Sequence, residues 1–220
     1  MRELKFGRKA AARAPGLSLV IFLHGYGADG ADLLGLADPL APHLPRTAFV
    51  APDAPEPCVG TPFGKQWFPI PWLDGSSEAA SAASLALSSD DLNQFIDAAM
   101  AANGVGPEAT ALVGFSQGTM MALDVALRRA ATLAGVVGFS GRLLRPETLA
   151  AQITARPPVL LIHGDADPVV PYADLARAAA GLKAAGVSVT THTSRGTGHG
   201  IAPDGLGLAL RFLQEHLPKG

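Results

Sequence analysis

A chain of 220 residues with 48% apolar composition is long enough to bury a full core and fits one domain, residues 1–220. Its formal charge of −2, without long runs of one sign, excludes the basic footprint of a nucleic-acid binder. The single cysteine, Cys58, excludes an intrachain disulfide and points to a reducing compartment.

The basic start MRELKFGRKAAARAPG runs into LSLVIFL at 17–23, which imitates a signal peptide. The apolar run is only seven residues long and leads into HGYGADG rather than a small-residue cleavage site, so a buried strand explains it better. No stretch approaches the roughly 18–20 apolar residues of a membrane span. A cytoplasmic protein without stable membrane insertion is expected.

Further strand-length runs follow at 47–51 (TAFVA), 110–115 (TALVGF), 133–139 (LAGVVGF), 158–163 (PVLLIH) and 187–193 (VSVTTHT). All but the last are nearly continuous in apolar character, as strands buried on both faces should be. Helical patterns lie between them: DGADLLGLADPLAPHL, residues 81–102, GTMMALDVALRRAA, YADLARAAAGLKAAG and residues 204–217. This alternation predicts an α/β fold with a parallel sheet covered on both faces. The stretch 52–77 breaks the rhythm. It is rich in proline, holds both tryptophans, and is too long for an ordinary connection. It reads either as an ordered, non-helical loop packed on the surface or as one that walls a pocket on the ligand side of the sheet, and the two readings are compatible.

Two stretches contain Gly-Phe-Ser. GFSQG places Ser116 in Gly-x-Ser-x-Gly between a strand and a helix, the context of a nucleophile elbow. GFSGR gives Ser140 no glycine two residues later, and Pro146 soon follows. Ser140 therefore reads as a turn residue and Ser116 as the nucleophile.

A serine hydroxyl needs a base to take its proton and a carboxylate to orient that base. His199, in the glycine-flanked GTGHGIAPDG between the last strand and last helix, is the candidate base. His163 and His192 read as structural strand residues, and His216 as a helix-surface residue. HGDADPVVP offers Asp167 as the carboxylate and Asp165 as the runner-up. Two N–H donors must meet the oxyanion. One is the backbone N–H of Gln117, and the other comes from LHGYGADG.

LHGYGADG, APDAPEP, GFSQG, HGDADPVVP and GHGI, in that order, resemble the motifs of the carboxylesterase/phospholipase family of α/β-hydrolases. This group includes acyl-protein thioesterases and bacterial carboxylesterases. The resemblance implies an α/β-hydrolase fold with a mostly parallel central sheet, helices on both faces and no large lid domain. It implies the triad Ser116, Asp167 and His199, so favouring Asp167 over Asp165. It assigns the oxyanion donors to the N–H groups of Tyr26 and Gln117, and makes Trp67 and Phe68 candidates for substrate contact. GKQWFPIPW departs from the more common Trp-aromatic-Asp pattern of the family loop.

The expected activity is a serine carboxylesterase cleaving short-to-medium acyl or aryl esters through an acyl-enzyme, without metal or organic cofactor. Lysophospholipase and acyl-protein thioesterase activities are the alternatives. Acyl transfer and a non-catalytic binding role are remoter rivals. The partner is a small-molecule ester, and a homodimer stays open.

Overall fold

The computed structural model describes residues 2–59, 61 and 63–219. One seven-stranded sheet organises the chain, in the spatial order β1-β3-β2-β6-β7-β8-β9. Its strands are β1 (Phe6–Lys9), β2 (Ser18–Leu23), β3 (Thr47–Pro52), β6 (Thr110–Phe115), β7 (Gly135–Phe139), β8 (Val159–Gly164) and β9 (Val189–Ser194). All pair in parallel except β1, which runs antiparallel to β3 along one edge. The six strands read from the sequence are present. β1 is an addition, because its Phe-Gly-Arg-Lys carries too little apolar pattern to announce a strand.

Alternation along the buried strands divides the core in two. Leu19, Ile21 and Leu23 of β2 face one side, with Leu112 of β6 and Leu161 of β8. That side is covered by α4 (Glu78–Asn103), α5 (Gln117–Ala126), α6 (Pro146–Gln152) and α7 (Ala173–Ala184). Val20 and Phe22 face the other side, with Val113 and Ile162, under α1 (Gly30–Leu34), α2 (Ala37–Leu40) and α8 (Pro203–His216). Strands clad on both faces must be apolar throughout, and β2, β3 and β8 are buried at every position.

The α4 helix has clear local causes. Ser77 accepts the Ala80 N–H at 3.1 Å as its N-cap, and Gly104 ends it in the left-handed conformation at φ 64°. Residues 30–43, read as one helical pattern, form α1, α2 and a 3₁₀ turn instead.

Two expectations about proline are corrected. Within 52–77 the chain forms the short pair β4 (Glu56–Pro57) and β5 (Lys65–Gln66), then the one-turn helix α3 (Pro71–Asp74). Pro146 likewise opens α6 rather than preventing it. At the first turn of a helix the missing N–H costs nothing, since it would lack an intrahelical acceptor anyway.

Candidate active site

β6 ends at Phe115, and the chain turns at Ser116 into α5 with φ 54° and ψ −117°. A non-glycine residue at positive φ is strained, and such strain gathers at functional sites. The flanking glycines permit the turn. A Cβ at Gly118 would overlap the Leu23 carbonyl of β2, and one at Gly114 would strike the backbone of Gly118. The Ser116 N–H donates to the Phe139 carbonyl at 2.8 Å, tying the elbow to β7.

Ser140 also has positive φ, at 47°, but it is 1% exposed and its hydroxyl has no partner among the described residues. The following Gly141 lies behind the elbow, where a Cβ would sit 3.0 Å from the Ser116 carbonyl oxygen. Ser140 thus supports the turn from behind and offers no accessible oxygen.

Beyond β8, the Asp167 side chain is fully buried. Its Oδ1 accepts the N–H groups of Val169 at 2.8 Å and Val170 at 2.9 Å. Its Oδ2 accepts Nδ1–H of His199 at 2.8 Å and lies 3.3 Å from His163 Nε2. Burial opposes the charge on Asp167. The hydrogen bonds from His199, Val169 and Val170, with the attraction of His199, outweigh burial and hold the carboxyl below its ordinary range. With Nδ1 committed to Asp167, the His199 imidazole has Nε2 left to act as base. The ring lies 4.9 Å from the Phe115 ring, centroid to centroid, beside the elbow. The described contacts thus join His199 to Asp167 by a hydrogen bond, and to the Ser116 elbow through Phe115.

Asp165, the runner-up, has another task. Its Oδ1 accepts the Gly196 N–H at 2.6 Å, bridging from the loop after β8 to the loop that carries His199. Ala166 N–H reinforces the bridge by donating to Thr197 O at 3.1 Å. Gly164 lets the two loops touch, since a Cβ there would lie 2.6 Å from Gly198 O.

The loop after β2 abuts the elbow: a Cβ on Gly25 would lie 3.2 Å from Ser116 Cβ. APDAPEP gains a physical reason here. Ala54 N–H donates to His24 Nε2 at 2.9 Å, and Asp53 Oδ1 accepts the Gly30 N–H at 2.9 Å. Because His24 Nε2 is an acceptor, its proton sits on Nδ1 and is donated to Gly25 O at 2.7 Å. Burial keeps His24 neutral by lowering its proton affinity. Gly27, at φ 81°, donates to Lys65 O at 2.9 Å. Among the described residues, no acceptor takes the N–H of Tyr26 or of Gln117. Both donors are therefore available to a developing oxyanion. Burial, with the neighbouring Cys58 thiol, pushes the proton affinity of the Tyr26 hydroxyl up.

The expected substrate contact at Trp67 needs correction. Trp67 is completely buried, with no face open to a ligand. Its N–H donates to Gln117 Oε1 at 2.9 Å, its indole N–H to His24 O at 3.0 Å, and its carbonyl accepts from Ser88. Phe68 is 7% exposed, and its carbonyl accepts Gln117 Nε2 at 2.7 Å. These residues brace the elbow and the loop after β2 from beneath. The sequence reading valued Gln117 only for its backbone and missed its side chain as the staple. An apolar groove of about 310 Å³ opens elsewhere, beside Gly25, between Leu33, Leu36, Phe115 and Ile201. The sequence signal for it was ADLLGL, directly after the glycine-rich loop.

Buried carboxylate, imidazole, strained serine and two open N–H donors together suit acyl transfer from an ester-type carbonyl. Comparison with known proteins agrees. The chain is 31% identical to Esterase YpfH of Escherichia coli over 209 residues, covering 93% of this chain and 85% of that protein. It is 30% identical to Acyl-protein thioesterase 1 of Gibberella zeae over 213 residues, with 90% of each covered. The crystal structure of esterase PE8 superposes with a TM-score of 0.93 at 44% identity, covering 98% of this chain and 100% of that one. The model of the phospholipase/carboxylesterase family matches residues 10–217. With an α/β-hydrolase fold and that match over nearly its whole length, the chain belongs to the phospholipase/carboxylesterase family.

Proposed function

We propose that this carboxylesterase-type hydrolase works through Ser116, His199 and Asp167, on esters of short-to-medium acyl chains. The observation that carries the reading is the 2.8 Å hydrogen bond between His199 Nδ1 and a fully buried Asp167 carboxylate, beside a serine at φ 54°. His199 Nε2 takes the Ser116 hydroxyl proton as Oγ attacks the acyl carbonyl. The N–H groups of Tyr26 and Gln117 hold the negative charge that forms on the carbonyl oxygen. Collapse of this intermediate breaks the C–O bond, and His199 gives its proton to the departing alcohol. Water, deprotonated by the same imidazole, then cleaves the acyl-enzyme to release the acid and restore Ser116. Asp167 fixes the tautomer and stabilises the imidazolium throughout. The groove beside Gly25 gives the acyl chain an apolar place to lie.

The same intermediate serves thioesters, and relatives named acyl-protein thioesterase favour this as the second reading. Among the described residues no helix is long and apolar enough to cross a membrane. The test is hydrolysis of p-nitrophenyl esters from acetate to palmitate, beside an S-acylated cysteine peptide, by wild type, Ser116→Ala and Ser140→Ala. The reading expects Ser116→Ala alone to be inactive, with a rate maximum among the shorter esters. An active Ser116→Ala protein would overturn it.

A further inference from the structure

A second hollow lies far from Ser116. A cavity of about 430 Å³ opens where β3 begins and α8 ends. Its apolar part is formed by Leu44, Leu213 and Leu217, and it is also lined by Arg13, Arg46 and Lys219. Among the described residues, no aspartate or glutamate lines it. Among the described residues, none of these three cations is in an ion pair or gives a side-chain hydrogen bond. Elsewhere, Arg2, Arg128, Arg129, Arg142, Arg145 and Arg177 pair with carboxylates, whereas Arg8 and Arg156 bond uncharged oxygens; the cavity differs in gathering three such cations around one concavity. A protein of net charge −2 has acids enough to neutralise this corner, yet leaves three positive charges around one concavity. The C-terminal end of α8 contributes only about half a negative charge, too little to balance them.

Arg13 and Arg46 are fixed through their backbones. Arg13 N–H donates to Pro45 O at 2.8 Å, and Arg46 O accepts the Leu17 N–H at 2.8 Å. Their guanidinium groups have no part in those bonds. β2 starts here at Ser18 and reaches the catalytic end at Leu23, so the length of a six-residue strand, about 20 Å, separates cavity and nucleophile.

We propose that this cavity is a second binding site, for a soluble amphiphile with an anionic head group, carboxylate or phosphate, on a short apolar chain. The guanidinium and ammonium groups hold the head by charge-assisted hydrogen bonds, and the leucines take the chain. The volume falls in the range of small-molecule sites, and a concavity suits a free molecule rather than a flat membrane surface. The site stands independently of the catalytic reading.

Isothermal titration calorimetry with octyl phosphate and with octanoate tests it, with octanol and octyltrimethylammonium as controls. Wild type should bind both anions saturably and neither control, more weakly as salt rises. Arg13→Ala/Arg46→Ala should weaken binding by about tenfold or more. The double variant should melt like wild type and keep its p-nitrophenyl acetate turnover, since neither side chain holds the fold. Absence of binding would overturn the proposal. So would equal affinity in wild type and double variant, which would place the ligand in the catalytic groove. Sedimentation with phosphatidylglycerol vesicles that depends on Arg13 and Arg46, without binding of free octyl phosphate, would also overturn it.

Discussion

Asp167 and His199, 32 residues apart in sequence, meet in a 2.8 Å hydrogen bond because Gly164 lets their two loops touch. Asp167→Asn should leave the fold intact. The amide presents the wrong hydrogen-bonding pattern to Nδ1 and cannot stabilise an imidazolium. Turnover should fall by about 10⁴-fold, as when the carboxylate of a serine triad is neutralised. Steady-state kinetics on p-nitrophenyl butyrate, with circular dichroism to verify folding, makes the check.

Asp165 holds the same loop from its other side through the Gly196 N–H, 2.6 Å away. Asp165→Ala should lower kcat by roughly tenfold while leaving KM near wild type, because a base displaced by a fraction of an ångström still permits binding. Asp165→Asn keeps an oxygen acceptor and should restore most of the rate. Equal loss in both variants would mean that the charge of Asp165, not its hydrogen bond, is what matters.

Gly118→Ala tests the elbow sterically. The new Cβ would overlap the Leu23 carbonyl, a backbone atom that cannot swing aside. A loss of about 3 kcal/mol or more is expected in urea denaturation, at the upper end for overpacking. Ser140→Ala should behave oppositely. It removes a buried hydroxyl with no partner, so stability should hold or rise and turnover should stay within about threefold.

The fold was legible because strands clad on both faces are nearly continuous in apolar character, as five of the six that were read are. The elbow at Ser116 was legible because Gly-x-Ser-x-Gly encodes a steric requirement, which the contacts of Gly114 and Gly118 display. β1 and the helices opened by Pro71 and Pro146 were not. An edge strand needs little apolar pattern, and proline both ends helices and begins them. Trp67 was offered as a substrate contact by the family resemblance of its loop, whereas the structure buries it completely. Its place in the core is set by Gln117, His24 and Ser88, which no local pattern links to it.

His24 gives the fold a pH dependence. Its ordinary value is 6.5, and burial lowers it in the folded protein. Below pH 6.5 the unfolded chain therefore binds more protons at this residue than the folded chain, and stability must fall as pH falls. Above that value both states are neutral and the contribution is flat. The slope from this one residue is at most about 1.4 kcal/mol per pH unit. His24→Gln keeps an acceptor for the Ala54 N–H without a titrating ring. Its melting temperature should depend less on pH between 5 and 6.5 than that of wild type. An unchanged slope would show that another group dominates acid unfolding.

The central claim is that Ser116 is the nucleophile. Reaction with a fluorophosphonate, followed by mass spectrometry of the proteolytic fragments, tests it most directly. A single adduct on Ser116 that disappears in His199→Ala is the predicted result. An adduct on Ser140, or no adduct on a folded wild-type protein, would contradict the account.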